Sequence, residues 1–240
     1  MRLNKLIANS GVASRRKAEE LIQNKKVFIN GSVVSEVLTF VQENDIVEVN
    51  GQNISQWINK EHIINTTKLW LFHKPKGTIT SRCDPQGRKT IFSLLPINMQ
   101  NVLSIGRLDY NTEGLILLTN NGQLSRFFEL PQNKIQRIYK CRVFGNTLSE
   151  NNLNQIRNGI TVNGIKYGQI EIVQNDRKWF TLTLKEGKNR EIRNIFEYFN
   201  MHVTRLIRVQ YGSFKLNHLQ PGNVIEVPEE VLKKIINKNL

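Results

Sequence analysis

Three short segments of this chain carry residue types that could do chemistry. In Gly106-Arg107-Leu108-Asp109-Tyr110-Asn111-Thr112-Glu113-Gly114, an acid stands beside an arginine in a turn, directly before the apolar run Leu115-Ile116-Leu117-Leu118. A carboxylate held at the lip of a core next to a cation stays ionised and fixed, which suits Asp109 to act as a nucleophile. A surface Asp–Arg pair has the same local pattern, so the residues alone leave both readings open. In Arg137-Ile138-Tyr139-Lys140-Cys141-Arg142-Val143, period-two alternation puts Tyr139 on the apolar face with Cys141 and Val143. There its ring can stack and its hydroxyl needs a partner, although a core tyrosine fits the pattern equally. In Gly187-Lys188-Asn189-Arg190-Glu191-Ile192-Arg193, the two arginines lie one turn apart near the start of a helix marked by Ile192, Ile195, Phe196 and Phe199. Cations at that end oppose the helix dipole, which points to a nearby anion, either a phosphate or a protein carboxylate. A solvated basic pair is the alternative.

The elements that must hold these residues follow from the flanking pattern. Leu69-Trp70-Leu71-Phe72 reads as a buried strand running into His73-Lys74-Pro75-Lys76-Gly77, a tight turn that would display Lys74 and Lys76. Asp84-Pro85-Gln86-Gly87-Arg88 reads as a turn before a short apolar helix near Ile91-Phe92, and Phe180–Leu184 alternates as a strand. Arg205 and Arg208, further along the chain, are expected to touch an anionic backbone. Pro228, Glu229 and Glu230 open a short C-terminal helix that obeys the dipole rule.

Upstream, Leu3, Leu6, Ile7 and then Ala18, Leu21, Ile22 mark two short helices, the second capped by Ser14. Arg15, Arg16 and Lys17 fall in its first turn, against the dipole, where a phosphate would use both the cations and the free backbone amides. Asn30-Gly31 and Asn50-Gly51 mark hairpin turns between β-branched strands. Arg2, Lys5, Arg15, Arg16, Lys17, Lys25 and Lys26 outnumber Glu19 and Glu20 over this stretch, so charge concentrates on its helical half. Residues 53–67 lack periodicity and read as a linker.

Composition bounds the partner. The 240 residues carry a net charge of +14 and a pI of about 9.9, which favours an anionic partner, nucleic acid before a membrane surface. No apolar run reaches the roughly 18 residues of a spanning helix, and no signal-peptide core stands at the start. Cys83 and Cys141 stand alone, and His62, His73, His202 and His218 are scattered, so neither a disulfide framework nor a metal site is expected.

Gly-Arg-Leu-Asp followed by Asn-Thr-x-Gly resembles the active-site motif of the ribosomal RNA pseudouridine synthases of the RsuA/RluB type. The Lys-Pro-Lys-Gly turn, the Asp-Pro-x-Gly-Arg loop, the Arg-x-Tyr strand and the Gly-Lys-Asn-Arg-x-Ile-Arg helix are similar to that family's in the same order. His73 stands where the family usually has Asn. The two helices and the Asn-Gly hairpin resemble an S4 RNA-binding domain. The resemblance implies an α+β fold, with an S4-like domain over residues 1–60 and a catalytic domain over 68–240 built on a mixed, largely antiparallel sheet with flanking helices. It implies an isomerase that breaks the C1′–N1 bond of a uridine and rejoins the sugar at C5, with no cofactor and no metal. Asp109 is then the nucleophile, Tyr139 stacks on the base and can take the C5 proton, Arg193 pairs with Asp109, and Val203–Gly212 is similar to the family's following strand, on which Leu206 lines the pocket. RNA contacts fall to Arg2, Lys5, Ser14, Arg15, Arg16, Lys17, Lys74, Lys76, Arg107, Lys188 and Arg190. The expected partner is ribosomal RNA, 23S in preference to 16S, with no membrane, in a cytoplasmic monomer.

Two other readings compete. Asp109-x-Asn111-x faintly resembles an aspartyl phosphotransferase motif, but that chemistry needs Mg²⁺ and the second acid is replaced by Asn111. A non-catalytic S4-type RNA-binding or ribosome-assembly protein accounts for the charge, yet gives Asp109, Tyr139 and Arg193 no reason to keep their motif settings.

Overall fold

The computed structural model describes residues 1–99 and 101–239, and the chain divides into two compact units. The first comprises Met1–Leu69, Thr119–Leu124 and Pro228–Leu240; the second comprises Trp70–Leu118 and Ser125–Val227.

The first unit opens with α1 (Leu3–Asn9) and α2 (Arg15–Gln23). The Ser14 hydroxyl accepts from the Lys17 amide at 3.3 Å, satisfying one of the free donors of α2. Leu3, Leu6, Ile7, Ala18 and Ile22 bury the facing sides of both helices against Val27, Val47 and Val49. Those valines belong to an antiparallel sheet of order β2-β1-β3-β4, formed by β1 (Val27–Ile29), β2 (Ser32–Val34), β3 (Val47–Val49) and β4 (Gln52–Asn53). Asn30 and Gly31 both have positive φ (51° and 78°), the turn that matches strand twist and favours Asn-Gly. The Asn30 side chain also spans to the loop before β3, donating to Asp45 at 2.9 Å and accepting from the Ile46 amide at 2.8 Å.

The expected linker over 53–67 is instead a 3-10 turn (Ser55–Ile58) and a helix, α3 (Lys60–Thr66). Asn59 caps α3, its Oδ1 accepting from Glu61 and His62 amides at 2.7 and 3.2 Å. The helix is two turns long and buries only Ile63, too little to leave a periodic signature in the sequence.

The second unit is built on a long mixed sheet. In chain order its elements are β5 (Leu69–Lys74), β6 (Leu103–Ile105), β7 (Glu113–Thr119), α4 (Gly122–Glu129), β8 (Arg137–Gly145), α5 (Glu150–Asn158), β9 (Thr161–Val162), β10 (Ile165–Lys166), β11 (Glu171–Gln174), β12 (Trp179–Leu184), α6 (Glu191–Tyr198), β13 (Met201–Tyr211), β14 (Phe214–Lys215) and β15 (Val224–Glu226); α7 (Glu229–Asn239) belongs to the first unit. The strand order is β11-β12-β8-β13-β7-β5-β15, with β13 antiparallel to β8 and parallel to β7. Only a 3-10 turn (Phe92–Leu94) forms where a short apolar helix was expected.

One face of β8, β12 and β13 packs Cys141, Phe180, Leu182 and Leu206 against Ile156 of α5 and Ile192, Ile195 and Phe196 of α6. Gly114 is required where β7 meets β13. Its φ is +111°, and a Cβ there would stand 2.3 Å from the Arg208 carbonyl oxygen. That close approach fixes the register Arg208↔Gly114 and so the height of the turn that precedes β7.

Candidate active site

The turn Leu108–Thr112 is held residue by residue by its surroundings. The Thr80 hydroxyl bonds both backbone groups of Leu108, donating to its carbonyl at 3.0 Å and accepting from its amide at 3.2 Å. The Thr112 amide closes the turn on the Asp109 carbonyl at 3.0 Å, and the Gly77 amide donates to the Tyr110 carbonyl at 2.9 Å. Arg193, from α6, donates to the Asn111 carbonyl at 3.0 Å and to the Thr112 hydroxyl at 3.4 Å. The Lys74 ammonium, at the end of β5, donates to the Thr112 carbonyl at 2.8 Å. Among the described residues none donates to the half-buried Asp109 carboxylate, which lines an open cleft of about 890 Å³. A backbone fixed in this way with its acid left free is preorganised for attack.

The cleft is walled by β8, β12 and β13, by the start of α6 and by the loops over residues 79–88, 106–112 and 186–190. Tyr139, Leu206 and Arg208 share its lining with Asp109 and Arg193. Tyr139 is half-buried and packs against the apolar clusters on either side of it. The Asp84–Arg88 loop closes another side as a bidentate pair, Arg88 donating to Asp84 at 2.8 and 2.9 Å. Those bonds hold the Asp84 carboxyl down at about 2.

Buried cations stand at the site: Arg193 and Arg208 line the cleft, and Lys74 holds the turn that carries Asp109. Lys74 is fully buried and Arg208 is 2 % exposed. Burial pulls the Lys74 ammonium down to about 8, against the opposing pull of the Asp109 and Glu113 carboxylates. Burial likewise lowers Arg193. Arg208 donates to the Leu115 carbonyl at 2.7 Å and lies over the Tyr211 ring, leaving one guanidinium nitrogen without a partner. At the opposite rim Glu191 is 3 % exposed; one carboxylate oxygen accepts from the Lys188 amide at 3.0 Å and the other has no partner. Burial pushes this acid up to about 7. Burial also pushes the Cys141 thiol up to about 12, so it is a packing residue there.

Several expectations need correction. Arg193 reaches the Asp109 turn through backbone carbonyls and a hydroxyl, and no direct ion pair to the Asp109 carboxylate forms among the described residues. The guanidinium is shared with the Val203 carbonyl at 3.0 Å, which pins it below the turn. Lys74 is not displayed for RNA; the strand carries on two residues beyond Phe72, to Lys74, and buries it, while Lys76 is exposed. Arg208 is likewise turned inward, into the lining of the cleft, and not displayed on the outer surface. Helix α6 begins at Glu191, because Arg190 takes left-handed φ (51°) and turns the chain into it.

Arg107, Lys188 and Arg190 are exposed residues on the cleft rim. Lys188 is tied to Glu186 at 3.0 Å and Arg190 to Glu197 at 3.6 Å. In the first unit Arg15, Arg16 and Lys17 are exposed as expected, Lys17 being paired with Glu20 at 2.6 Å. Arg2 lies over the Phe40 ring, and burial together with the Arg15 charge lowers the half-buried Lys5. Thr80 and Glu191 have no prominence in the sequence pattern, and Arg137, which heads the Arg-x-Tyr strand, carries no role there. Arg137 could have been found, since alternation puts it on the Tyr139 face, where it bonds the Tyr211 hydroxyl at 3.0 Å. Thr80 lies in a loop with no pattern to single it out.

A family model described as RNA pseudouridylate synthase matches residues 68–198, and an S4 domain model matches residues 1–47. The chain is 44 % identical, over its whole length and 96 % of the relative's, to an uncharacterized RNA pseudouridine synthase of Rickettsia typhi. It is 36 % identical to the ribosomal large subunit pseudouridine synthase B of Bacillus subtilis, covering 98 % of this chain and 95 % of that one. The corresponding Buchnera aphidicola protein is 34 % identical over 98 % of this chain and 96 % of that one. A crystal structure of a pseudouridylate synthase shares the fold, with a TM-score of 0.69 at 24 % identity over 98 % of this chain and 99 % of that one.

Proposed function

The chain belongs to the RNA pseudouridine synthase family, and from that premise we propose that it isomerises a specific uridine of large-subunit ribosomal RNA with Asp109 as nucleophile. The enzyme class is that of an isomerase acting on RNA. The large-subunit substrate is carried over from the relatives of B. subtilis and Buchnera that bear that name.

The observation that carries the assignment of Asp109 is the contrast within one turn. Residues 108–112 are each held through a backbone group, yet the acid itself faces the cleft unengaged. Asp109 attacks the nucleoside, forming a bond from its carboxylate, and the C1′–N1 bond breaks. The base turns, C1′ bonds to C5, the bond to Asp109 breaks with its electron pair returning to the carboxylate, and the C5 proton leaves while N1 gains one. Atoms and charge balance, and neither oxidant nor phosphate donor is needed. Tyr139 stacks on the flipped base, and its hydroxyl relays the C5 proton, taking it as it gives up its own to water. Arg193 and Lys74 act on Asp109 through the turn, as positioning residues that also supply positive field.

A uridine in folded RNA must leave its stack to reach a carboxylate in such a cleft, at a cost of a few kcal/mol. Arg107, Lys188 and Arg190 on the rim, Lys76, and the S4 domain with Arg2, Lys5 and Ser14–Lys17 supply phosphate contacts that offset it. No helix among the described residues is long and apolar enough to cross a membrane, and a monomer acting on ribosomal RNA in the cytoplasm fits this reading.

The test is pseudouridine mapping of ribosomal RNA incubated in EDTA with the unmutated protein and with Asp109→Asn. One new pseudouridine with the former and none with the latter, at equal RNA binding, is the expected result. Modification that survives in Asp109→Asn removes Asp109 from the role.

A further inference from the structure

Strands β8, β12 and β13 turn Arg137, Tyr139, Leu206 and Arg208 toward the cleft, and their alternate residues form a second surface on the other face of the same sheet. The register identifies it: Arg142 stands opposite Arg205 on β13 and Trp179 on β12, and Lys140 stands opposite Ile207 and Thr181. Phe144 extends the row, 69 % exposed, and Val173 on β11, 58 % exposed, neighbours Thr181. Lys140, Arg142 and Arg205 are all exposed.

Two features of this face are out of keeping with an inert surface. Like charges directly opposite each other on neighbouring strands are destabilising, yet Arg142 faces Arg205, with Lys140 two residues along. Glu113 pairs with Arg205 at 2.5 Å, but no ion pair engages Lys140 or Arg142 among the described residues. The second feature is apolar area among the cations, with Phe144 and Val173 exposed and Trp179 half-buried. Flat sheet faces that combine open aromatic rings with cations suit single-stranded nucleic acid, whose bases stack on the rings while phosphates meet the charges.

We infer that the outer face of the β11-β12-β8-β13 sheet is a second RNA-binding surface, on which Trp179 and Phe144 stack unpaired bases and Lys140 and Arg142 hold the adjoining phosphates. The inference rests on the chain's membership of an RNA-modifying family; it concerns where else the substrate is held and not how it is modified. Charge complementarity selects RNA over a protein partner. The exposed Arg177 and Lys178 of the turn before β12 extend the positive edge, against Asp176 of the same turn, whose carboxylate accepts from the Lys178 and Trp179 amides, and Glu171 on the same face.

Binding is read apart from catalysis, so that failure of this inference and failure of the proposed function are distinguishable. The probes are protein-free 23S ribosomal RNA and a 20-nucleotide oligouridylate, titrated by filter binding at several salt concentrations. Lys140→Gln/Arg142→Gln is expected to weaken oligouridylate binding at least tenfold and to reduce the salt slope by about 1.4, about 0.7 for each cation on a single strand. Trp179→Ala is expected to weaken it about fivefold or more through lost stacking. Thermal melting establishes that each variant folds, and ultraviolet cross-linking of the unmutated protein is expected to attach uridine to peptides containing Trp179 or Phe144. Affinity and salt slope unchanged in folded variants, or cross-links confined to the cleft and the S4 domain, overturn the inference. So does protection of this face by a ribosomal protein in place of RNA.

Discussion

Arg193 donates to the carbonyl of Asn111 at 3.0 Å, two residues beyond the acid it was expected to pair with. The arginine therefore fixes where Asp109 stands and contributes positive field without occupying its oxygens. A nucleophile gains from that arrangement, because a salt-bridged carboxylate would have to break its pair before attacking.

Replacing Arg193 by Lys separates geometry from charge. Lysine keeps the cation but not the planar fork that reaches Asn111, Thr112 and Val203 together. We expect the single-turnover rate of pseudouridine formation to fall by about 100-fold, roughly 3 kcal/mol in the barrier, with RNA affinity changed less than threefold. Equal losses in rate and affinity would show that Arg193 contacts RNA directly.

The buried ammonium of Lys74, drawn down to about 8, gives the reaction a pH dependence. Below that value the cation stands under the Asp109 turn; above it the charge is lost and with it the field on Asp109. The rate is expected to descend above about pH 8, and the descending limb to disappear in Lys74→Met, whose plateau is lower throughout. For stability the sign is opposite. The folded protein releases this proton before the unfolded chain does, so the Lys74 contribution rises between about 8 and 10.5. A limb that persists in Lys74→Met belongs to another group.

Glu191 titrates from the other side. Its folded-state value of about 7 lies above the ordinary 4.5, so the folded protein holds a proton that the unfolded chain has released. Its stabilising effect is fully present below 4.5 and is lost as the pH rises through 7. Glu191→Gln should flatten urea-unfolding stability across that window by about 3 kcal/mol, since each tenfold difference in proton affinity between the folded and unfolded chain is worth roughly 1.4 kcal/mol. An unchanged pH slope would mean that Glu191 stays ionised in the fold.

On the S4 domain, Arg15→Ala/Arg16→Ala/Lys17→Ala removes three exposed cations from the start of α2. Because Lys17 is already paired with Glu20 at 2.6 Å, the slope of log affinity against log salt is expected to fall by about two, and not by the three that the residue types alone would give. An unchanged slope in RNA titrations rules out phosphate contacts there.

The sequence by itself determined the local elements and the chemistry on them. The Asn-Gly turns follow from the positive φ that asparagine and glycine tolerate, the cap of α2 from Ser14, and the faces of β8 and α6 from their periods of two and 3.6. Asp109, Tyr139 and Arg193 could be singled out because motif order survives in one dimension. Helix α3 could not, since one buried isoleucine leaves no period to read.

What only the tertiary structure decided is which partner each side chain meets. Lys74 and Arg208 look like surface cations in the sequence, but strand pairing turns both inward, and their charge goes to shaping the cleft. Arg193 meets a carbonyl and not a carboxylate because α6 and β13 set its height below the turn. Spacing along the chain fixes the direction in which a side chain leaves its own element. The distance to a group in a remote part of the chain depends on how the elements pack, and no local pattern records that.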